Sequence, residues 1–226
     1  MKRERPIIAI DGPVGAGKST VAQRLASVLG FEYVNTGAMY RAVAVAARAA
    51  GLDDGSPEAE RKLGALLATV RIDFSGGHIS LDGRDISAEI GSPEVGESAS
   101  QLSTLAVVRA RMRDLQRTAG AHGAVVMEGR DIGTAVFPDA EFKFFLDASA
   151  EVRAELRWRE LAARGVDITR EQVLAQLHER DRRDRGRELA PLKPAPDAIV
   201  VDASSISVEE VVTLMAQRIR ARGGAV

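Results

Sequence analysis

The run Gly12-Pro13-Val14-Gly15-Ala16-Gly17-Lys18-Ser19-Thr20 constrains this chain more than any other part of it. It fits the pattern G-x-x-x-x-G-K-[ST], directly after the apolar stretch Pro6 to Ile10 and directly before a helical pattern. That context demands a strand, a tight glycine-rich loop and a helix in succession. Glycines let the backbone wrap closely round a phosphate with its N–H groups turned inward, and the helix N-terminus adds positive potential. Lys18 is then placed to reach the β- and γ-phosphates of a nucleoside triphosphate, and the Ser19 hydroxyl to ligate Mg²⁺. The motif fixes triphosphate binding and leaves the reaction open.

The remaining pattern sets the fold class. Five short apolar runs read as buried strands: Pro6 to Ile10, Phe31 to Val34, Ala124 to Met127, Phe142 to Leu146 and Ala198 to Val201. Helical patterns separate them, which is the βαβ rhythm of a parallel α/β sheet. The first helix is expected to bury Val21, Leu25 and Val28 and to stop at Gly30. Thr36 and Gly37 open an alanine-rich helix ending at Gly51, with Thr36 a candidate N-cap. One long helix is expected from about Val95 to Thr118, since Leu102, Leu105, Val108, Met112 and Leu115 recur at three and four residues. Thr169 with Gln172, and Ser207 with Glu210, have capping-box spacing at the heads of two further helices. The stretch from about Asp53 to Ser92 breaks the rhythm. Within it, Arg71 to Phe74 and His78 to Leu81 alternate polar and apolar residues about Ser75-Gly76-Gly77, which predicts a hairpin in a small inserted unit.

With 226 residues, 45% hydrophobic and 28% charged, the chain suits one α/β domain with a small insert. The formal net charge of -1 gives no general attraction to nucleic acid or acidic membrane. No cysteine is present, which excludes disulfides and thiolate metal sites. No apolar run is long enough to span a bilayer, and the strand pattern begins within a few residues of the N-terminus, so a cytoplasmic protein is expected. A GTPase would carry an Asn-Lys-x-Asp motif, which is absent.

Other candidates lie beyond the loop. Glu128-Gly129-Arg130-Asp131 follows the run Val125-Val126-Met127, and carboxylates just past the carboxyl end of a parallel strand face the ligand crevice. Glu128 or Asp131 is placed to hold the water shell of Mg²⁺, and Arg130 to bind a phosphate bidentately. Thr36 and Arg41 put a hydroxyl and a cation at the head of a helix on the same side. The run Glu179 to Arg187 is arginine-rich, with Arg153, Arg157, Arg159 and Arg164 upstream. A mixed charge run is commonly a solvated helix face or an RNA-binding strip. Here Arg180 and Asp184 are four apart and share a face. Phosphoryl transfer gives such arginines a use, since cations that close round the transferred group stabilise its charge and exclude water.

Gly12 to Thr20, Thr36-Gly37-Ala38-Met39-Tyr40-Arg41, Glu128-Gly129-Arg130-Asp131-Ile132-Gly133-Thr134, Val136-Phe137-Pro138-Asp139-Ala140, Phe145-Leu146-Asp147-Ala148-Ser149 and Arg180-Asp181-Arg182-Arg183-Asp184-Arg185 together resemble bacterial cytidylate kinase, nearly end to end. The resemblance implies a P-loop kinase core with a five-stranded parallel sheet, an inserted acceptor domain with antiparallel strands, and a short helical lid. Its boundaries would be a core over residues 1–36, 105–150 and 188–226, a monophosphate-binding region over 37–104 with its insert at about 53–92, and a lid with flanking helices over 151–187. It implies the phosphorylation of CMP and dCMP by ATP, with Mg²⁺, by a cytoplasmic and monomeric enzyme.

By the same resemblance, Gly12, Pro13, Val14, Gly15, Ala16, Gly17, Lys18, Ser19 and Thr20 would bind ATP. Thr36, Arg41 and Arg130 would contact the CMP phosphate. Ser100, Arg109, Arg187 and Asp131 would surround cytosine, and Arg180 and Asp184 would address the sugar. Arg157 would act near the ATP phosphates, and Lys18, Arg130, Asp131 and Arg157 form the catalytic set, with Ser19 and Glu128 toward the metal. Two departures stand out: Asn35-Thr36 occupies a place where some relatives have Asp-Ser, and Glu128 a place where others have Asp. Cytosine presents O2 and N3 as acceptors, which suits arginines that only donate, while its amino group needs an acceptor such as Ser100 or Asp131. A kinase acting on an alcohol needs an aspartate base, whereas a CMP phosphate oxygen is already anionic, so no general base is assigned. The alternatives are a UMP or AMP kinase, a shikimate-type metabolite kinase, and a non-catalytic nucleotide sensor or RNA-binding protein that uses the arginine run.

Overall fold

Strands buried on both faces read as nearly continuous apolar runs, and the central strands of this protein do, interrupted by only a few charged residues. The computed structural model describes residues 3, 5–53, 56–75 and 78–222. Strands β1 (Ile7–Asp11), β2 (Glu32–Asn35), β6 (Val125–Gly129), β7 (Phe142–Asp147) and β8 (Ile199–Asp202) form one five-stranded parallel sheet in the order β2-β6-β1-β7-β8. β3 (Ile72–Ser75), β4 (His78–Leu81) and β5 (Arg84–Asp85) form a separate antiparallel sheet. The expected hairpin strands are thus present, with a third short strand added; Gly76 and Gly77 of the turn lie outside the described residues. The chain divides into two compact units, residues 1–33 with 122–226, and residues 34–121.

In the first unit β1 is fully buried and lies between β6 and β7. Helix α1 (Lys18–Leu29) packs Val21, Leu25, Ala26 and Leu29 against Ile8, Ile10, Val126 and Phe144. It ends at Gly30 in the left-handed conformation, as the sequence predicts. Val28 does not join this core. It is 51% exposed, because the buried stripe of α1 runs through Leu25 and Leu29, and position 28 turns off that face. Helix α8 (Val208–Ala221) covers the same core with Val211, Met215 and Ile219 and opens with the expected Ser207–Glu210 capping box.

Helices α6 (Ala150–Ala163) and α7 (Arg170–Gly186) form a hairpin with a small core of its own, made of Ala154, Leu161, Val173 and Leu177. Trp158 packs against it and donates its indole N–H to the Ile168 carbonyl at 3.0 Å. The Thr169–Gln172 capping box opens α7.

In the second unit, α2 (Thr36–Ala49) is capped by Asn35, whose side chain accepts from the Ala38 N–H; Thr36 is the first helical residue and not the cap. Helix α3 (Pro57–Thr69) occupies part of the inserted stretch, for which the sequence predicts only a hairpin. Its start was written in the sequence as an N-cap serine, Ser56, followed by Pro57 at the first helical position. The long helix expected from Val95 to Thr118 is instead two helices, α4 (Pro93–Leu102) and α5 (Ala106–Ala119). Hydroxyl groups explain the break. Ser103 Oγ donates to the Ser100 carbonyl at 2.8 Å and Thr104 Oγ1 to the Gln101 carbonyl at 2.7 Å. Such bonds compete with the helical ladder, and Leu105 is extended. Apolar spacing continues across the gap, so the periodicity alone does not reveal it.

Leu25→Ala should cost about 2–5 kcal/mol in urea unfolding, because Leu25 is fully buried. Val28→Ala on the same helix should stay within about 0.5 kcal/mol. Similar losses from both would contradict this assignment of the buried face.

Candidate functional site

Three segments of the first unit end at the carboxyl edge of its sheet. The first is the loop Gly12–Gly17, between β1 and α1. Gly12 has φ of 153°, and a Cβ there would lie 2.0 Å from the Leu146 carbonyl oxygen of β7, so only glycine lets the loop leave the strand along this path. Gly17 precedes α1 in the left-handed conformation. Ser19 and Thr20 are exposed in the first turn of α1. Lys18 is buried and donates from Nζ to the Pro13 carbonyl at 2.6 Å, closing the loop on itself. Burial depresses the Lys18 ammonium to about 7, and the Arg130 guanidinium pushes the same way against Glu128, Asp11 and Asp184.

The second segment is β6 with the turn that follows. Glu128 lies within the strand, paired in register with Ile10, and not beyond its end. It is buried and accepts from the Tyr33 hydroxyl at 2.6 Å. Asp131 is buried at the head of a π-helical turn, Ile132–Val136. The N–H groups of Ile132 and Gly133 both donate to the Asp11 carboxylate, each at 2.8 Å. Burial pushes the Asp11 carboxyl up to about 6 despite these bonds; the nearby Asp131 charge adds to the rise and Lys18 opposes it.

The third segment is α7. Its Asp184 is buried, with Oδ2 3.1 Å from Arg130 Nε and Oδ1 3.6 Å from Arg187 Nη2. Burial alone would raise the Asp184 carboxyl, but Arg130, Arg187 and Arg180 together hold it below the usual aspartate range. The sequence-predicted residues Arg130, Arg180, Asp184 and Arg187 are thus one cluster, and the fields of Arg130 and Asp184 reach Lys18. Arg157, on α6, pairs with Glu160 of its own helix at 2.9 Å and is partly exposed.

The second unit gathers its own candidates. Thr36 is buried in the first turn of α2. Arg41, one turn on, lies against α4, where its Nε is 3.9 Å from the place a Cβ on Gly96 would take. The break between α4 and α5 lies between Ser100 and Arg109. Nine residues of straight helix would separate Ser100 from Arg109 by about 13 Å along the axis. Instead the Ser100 carbonyl accepts from Ser103, and the Ser103 carbonyl accepts from Arg109 Nη1 at 3.3 Å.

The cytidylate kinase family model matches residues 8–221 of this sequence. This chain belongs to the cytidylate kinase family. The cytidylate kinase of Geobacter sp. (strain M21) is 48% identical over 218 residues, covering 96% of this chain and 93% of that one. The cytidylate kinase of Pelotomaculum thermopropionicum is 48% identical over 218 residues, covering 96% of each chain. Among solved structures, an uncharacterised protein from Eubacterium ventriosum aligns with a TM-score of 0.52 at 12% identity, covering 96% of this chain and 99% of that one, which is a likeness of fold alone.

The structure adds residues to those the sequence singled out in this member of the cytidylate kinase family. Asp11, Tyr33, Ser103 and Asp181 are not among the candidates above, and Arg153 is there only as one of several arginines. Asp11 carried a signal, as an acidic residue closing an apolar strand just before the loop. Tyr33 carried none, since its partner Glu128 is 95 residues away.

The folded Asp11 carboxyl lies above its ordinary value of 3.8. The native state therefore binds this proton more tightly than the unfolded chain, and Asp11 adds stability as pH falls through about 6. The unfolding free energy of wild type minus that of Asp11→Asn should grow between about pH 7 and about pH 4.5. A difference that is flat or shrinking across that range would show that Asp11 is not raised.

Proposed function

We infer that this protein transfers the γ-phosphoryl group of ATP to CMP and dCMP, giving ADP with CDP and dCDP. The observation that carries the reading is the Arg130–Asp184–Arg187 cluster set in the field of the loop lysine, in a chain of this family. An acceptor that is itself a phosphate needs cations to screen and align it and needs no base.

We assign the roles from the resemblance of these motifs to those of the family. Gly12 to Thr20 cradle the ATP phosphates, and Lys18 follows the charge that moves toward the leaving oxygen. Arg130, with Thr36 and Arg41, receives the CMP phosphate. Asp184 fixes Arg130 in advance, so little reorganisation accompanies the transfer. Arg109 and Arg187 donate to the cytosine acceptors, while Ser100 and Asp131 accept from its amino group. Arg180 and Asp184 address the sugar hydroxyls, and Arg157 closes on the ATP phosphates.

Among the described residues no group of three or more His, Cys, Asp or Glu side chains is placed to hold a metal. The oxygen donors at hand include the exposed Ser19 hydroxyl, the Glu128 carboxylate, already engaged by Tyr33, and the buried Asp131 carboxylate. That set suits a hard cation carried mainly by phosphates and water, as Mg²⁺ is. When bound, Mg²⁺ supplies charge neutralisation at the phosphate oxygens; Ser19 would ligate it and Glu128 would act through water.

We propose residues 1–36, 105–150 and 188–226 as the kinase core, 37–104 as the monophosphate-binding region and 151–187 as the lid, a functional division whose boundaries differ from the compact units 1–33 with 122–226 and 34–121. The enzyme acts as a cytoplasmic monomer on small molecules. No helix among the described residues is long and apolar enough to cross a membrane.

A coupled ADP-release assay with ATP and Mg²⁺ should show fast turnover with CMP and dCMP, weak turnover with UMP, and none with AMP or shikimate. Folded protein without CMP turnover would falsify the reading. Arg130→Met should lower kcat/KM for CMP by about 100-fold or more, as expected for a charge-assisted phosphate contact. Arg180→Met should act mainly on the ratio of CMP to dCMP, and equal mild losses from both would refute this division of roles.

Since the ligand-free Lys18 ammonium sits at about 7, an incoming phosphate should restore its proton. ATP binding at about pH 8 should take up as much as about one proton, and affinity should fall as pH rises beyond that. Calorimetry in buffers of different ionisation enthalpy reads the uptake. Lys18→Met should lose it, and its absence in wild type would mean that Lys18 is not depressed.

A further inference from the structure

The tip of the phosphate loop is fastened to the α6–α7 hairpin, and one side chain does most of the fastening. Arg153, on α6, is 4% exposed. Its Nη1 donates to the Val14 carbonyl at 3.1 Å and to Asp181 Oδ1 at 3.2 Å, its Nη2 lies 2.6 Å from Asp181 Oδ2, and its Nε donates to the Ala148 carbonyl at 3.0 Å. Asp181 is on α7. A single guanidinium therefore joins the loop, the end of β7 and both helices of the hairpin.

Two further contacts support the same joint. Val14, at a loop position the motif leaves free, packs against the small core of the hairpin. Gly15, next in the loop with φ of 79°, passes so close that a Cβ there would sit 3.2 Å from Arg153 Cβ and 3.3 Å from its carbonyl oxygen. On α7, Asp181 is one turn before Asp184, which holds Arg130. A connected path of contacts thus runs from the loop tip through Arg153 and Asp181 to the arginine cluster.

We propose that Arg153 is a positioning residue that locks the phosphate loop and helix α7 into one frame, so that the groups receiving the transferred phosphoryl are aligned whenever the loop is formed. The proposal rests on the phosphotransferase reading above. Arg153 need not touch either nucleotide; it acts through Val14 and Asp181. Its planar fork is what allows this. Lysine, a point charge with one nitrogen, cannot span two carbonyls and a carboxylate at once. If the joint loosens, the loop can still bind ATP through its own N–H groups and Lys18, while α7 no longer meets it in register. Transfer to the acceptor should then suffer more than binding, and water should gain access to the phosphoryl group.

The test compares Arg153→Lys, Asp181→Asn and Val14→Ala with wild type, at a temperature where each is folded. For each, kcat for transfer to CMP, the ATP hydrolysis rate without acceptor, and the Kd for ATP are measured. The expectation for Arg153→Lys and Asp181→Asn is a fall in kcat of about 10-fold or more, a rise of about 10-fold or more in hydrolysis relative to transfer, and an ATP Kd within about 3-fold of wild type. Val14→Ala should show the same pattern more weakly. The double variant Arg153→Lys with Asp181→Asn should be little worse than either single one, because the two act as a unit. A purely structural role would lower thermal stability and leave the partition between transfer and hydrolysis where it was.

Folded variants whose partition stays within about 2-fold of wild type overturn the proposal. Where Arg153→Lys does not fold, Asp181→Asn, which keeps the shape of the side chain, carries the same expectation. A wild type that prefers another nucleotide sinks the CMP reading alone, and the partition is then measured with that nucleotide. A wild type that transfers to none overturns both.

Discussion

A carboxylate at the end of a fully buried strand holds the centre of this site together. Asp11 closes β1 and takes the N–H groups of Ile132 and Gly133, so the segment leaving β6 is tied to the strand that feeds the phosphate loop. Both oxygens are used, and both donors belong to backbone that would otherwise be buried without partners. The arrangement costs desolvation, visible in the raised carboxyl, and the neighbouring lysine is strained the opposite way. Charge at the centre is therefore held in place before any substrate arrives. That is the condition under which fixed dipoles and cations stabilise a transition state without first reorganising.

The arginine-rich run of α7 follows the same logic. Taken as a string of charges it looks like solvated surface, and part of it is: Arg182 pairs with Glu179 where both are exposed, and Arg185 lies 3.9 Å from Asp147. Asp184 differs because it is buried among three guanidinium groups. The helix thus keeps two populations of arginine, one giving solubility on the outside and one gathered round a carboxylate on the inside. In the second unit, two hydroxyl-to-carbonyl bonds end one helix early and bring Arg109 back to Ser103.

Much of this was legible in the sequence. The five strands appear within a residue or two of where their apolar runs lie, because buried parallel strands leave little choice of composition. Both capping boxes formed, since they depend only on local spacing. What escaped was non-local or masked by another pattern. The α4–α5 break hides under an unbroken apolar period, and helix α3 hides in a stretch of mixed composition. Val28 keeps the spacing of Val21 and Leu25, but the buried face of α1 is turned toward Ala22, Leu25 and Leu29 and leaves it outside. At the site, the motif residues were readable because backbone geometry forces them. The partners that fix them, Tyr33 for Glu128 and Asp181 for Arg153, are set by tertiary proximity that no spacing rule encodes.

The α6–α7 hairpin carries the chain's one tryptophan. Trp158 packs on the hairpin core with its indole N–H bonded to the Ile168 carbonyl, in the turn that joins α6 to α7. The tryptophan emission of this protein therefore comes from this hairpin. Its wavelength and anisotropy report the hydration and local motion of that hairpin directly, without label or engineered probe, on the nanosecond scale of the excited state and, by rapid mixing, on slower scales.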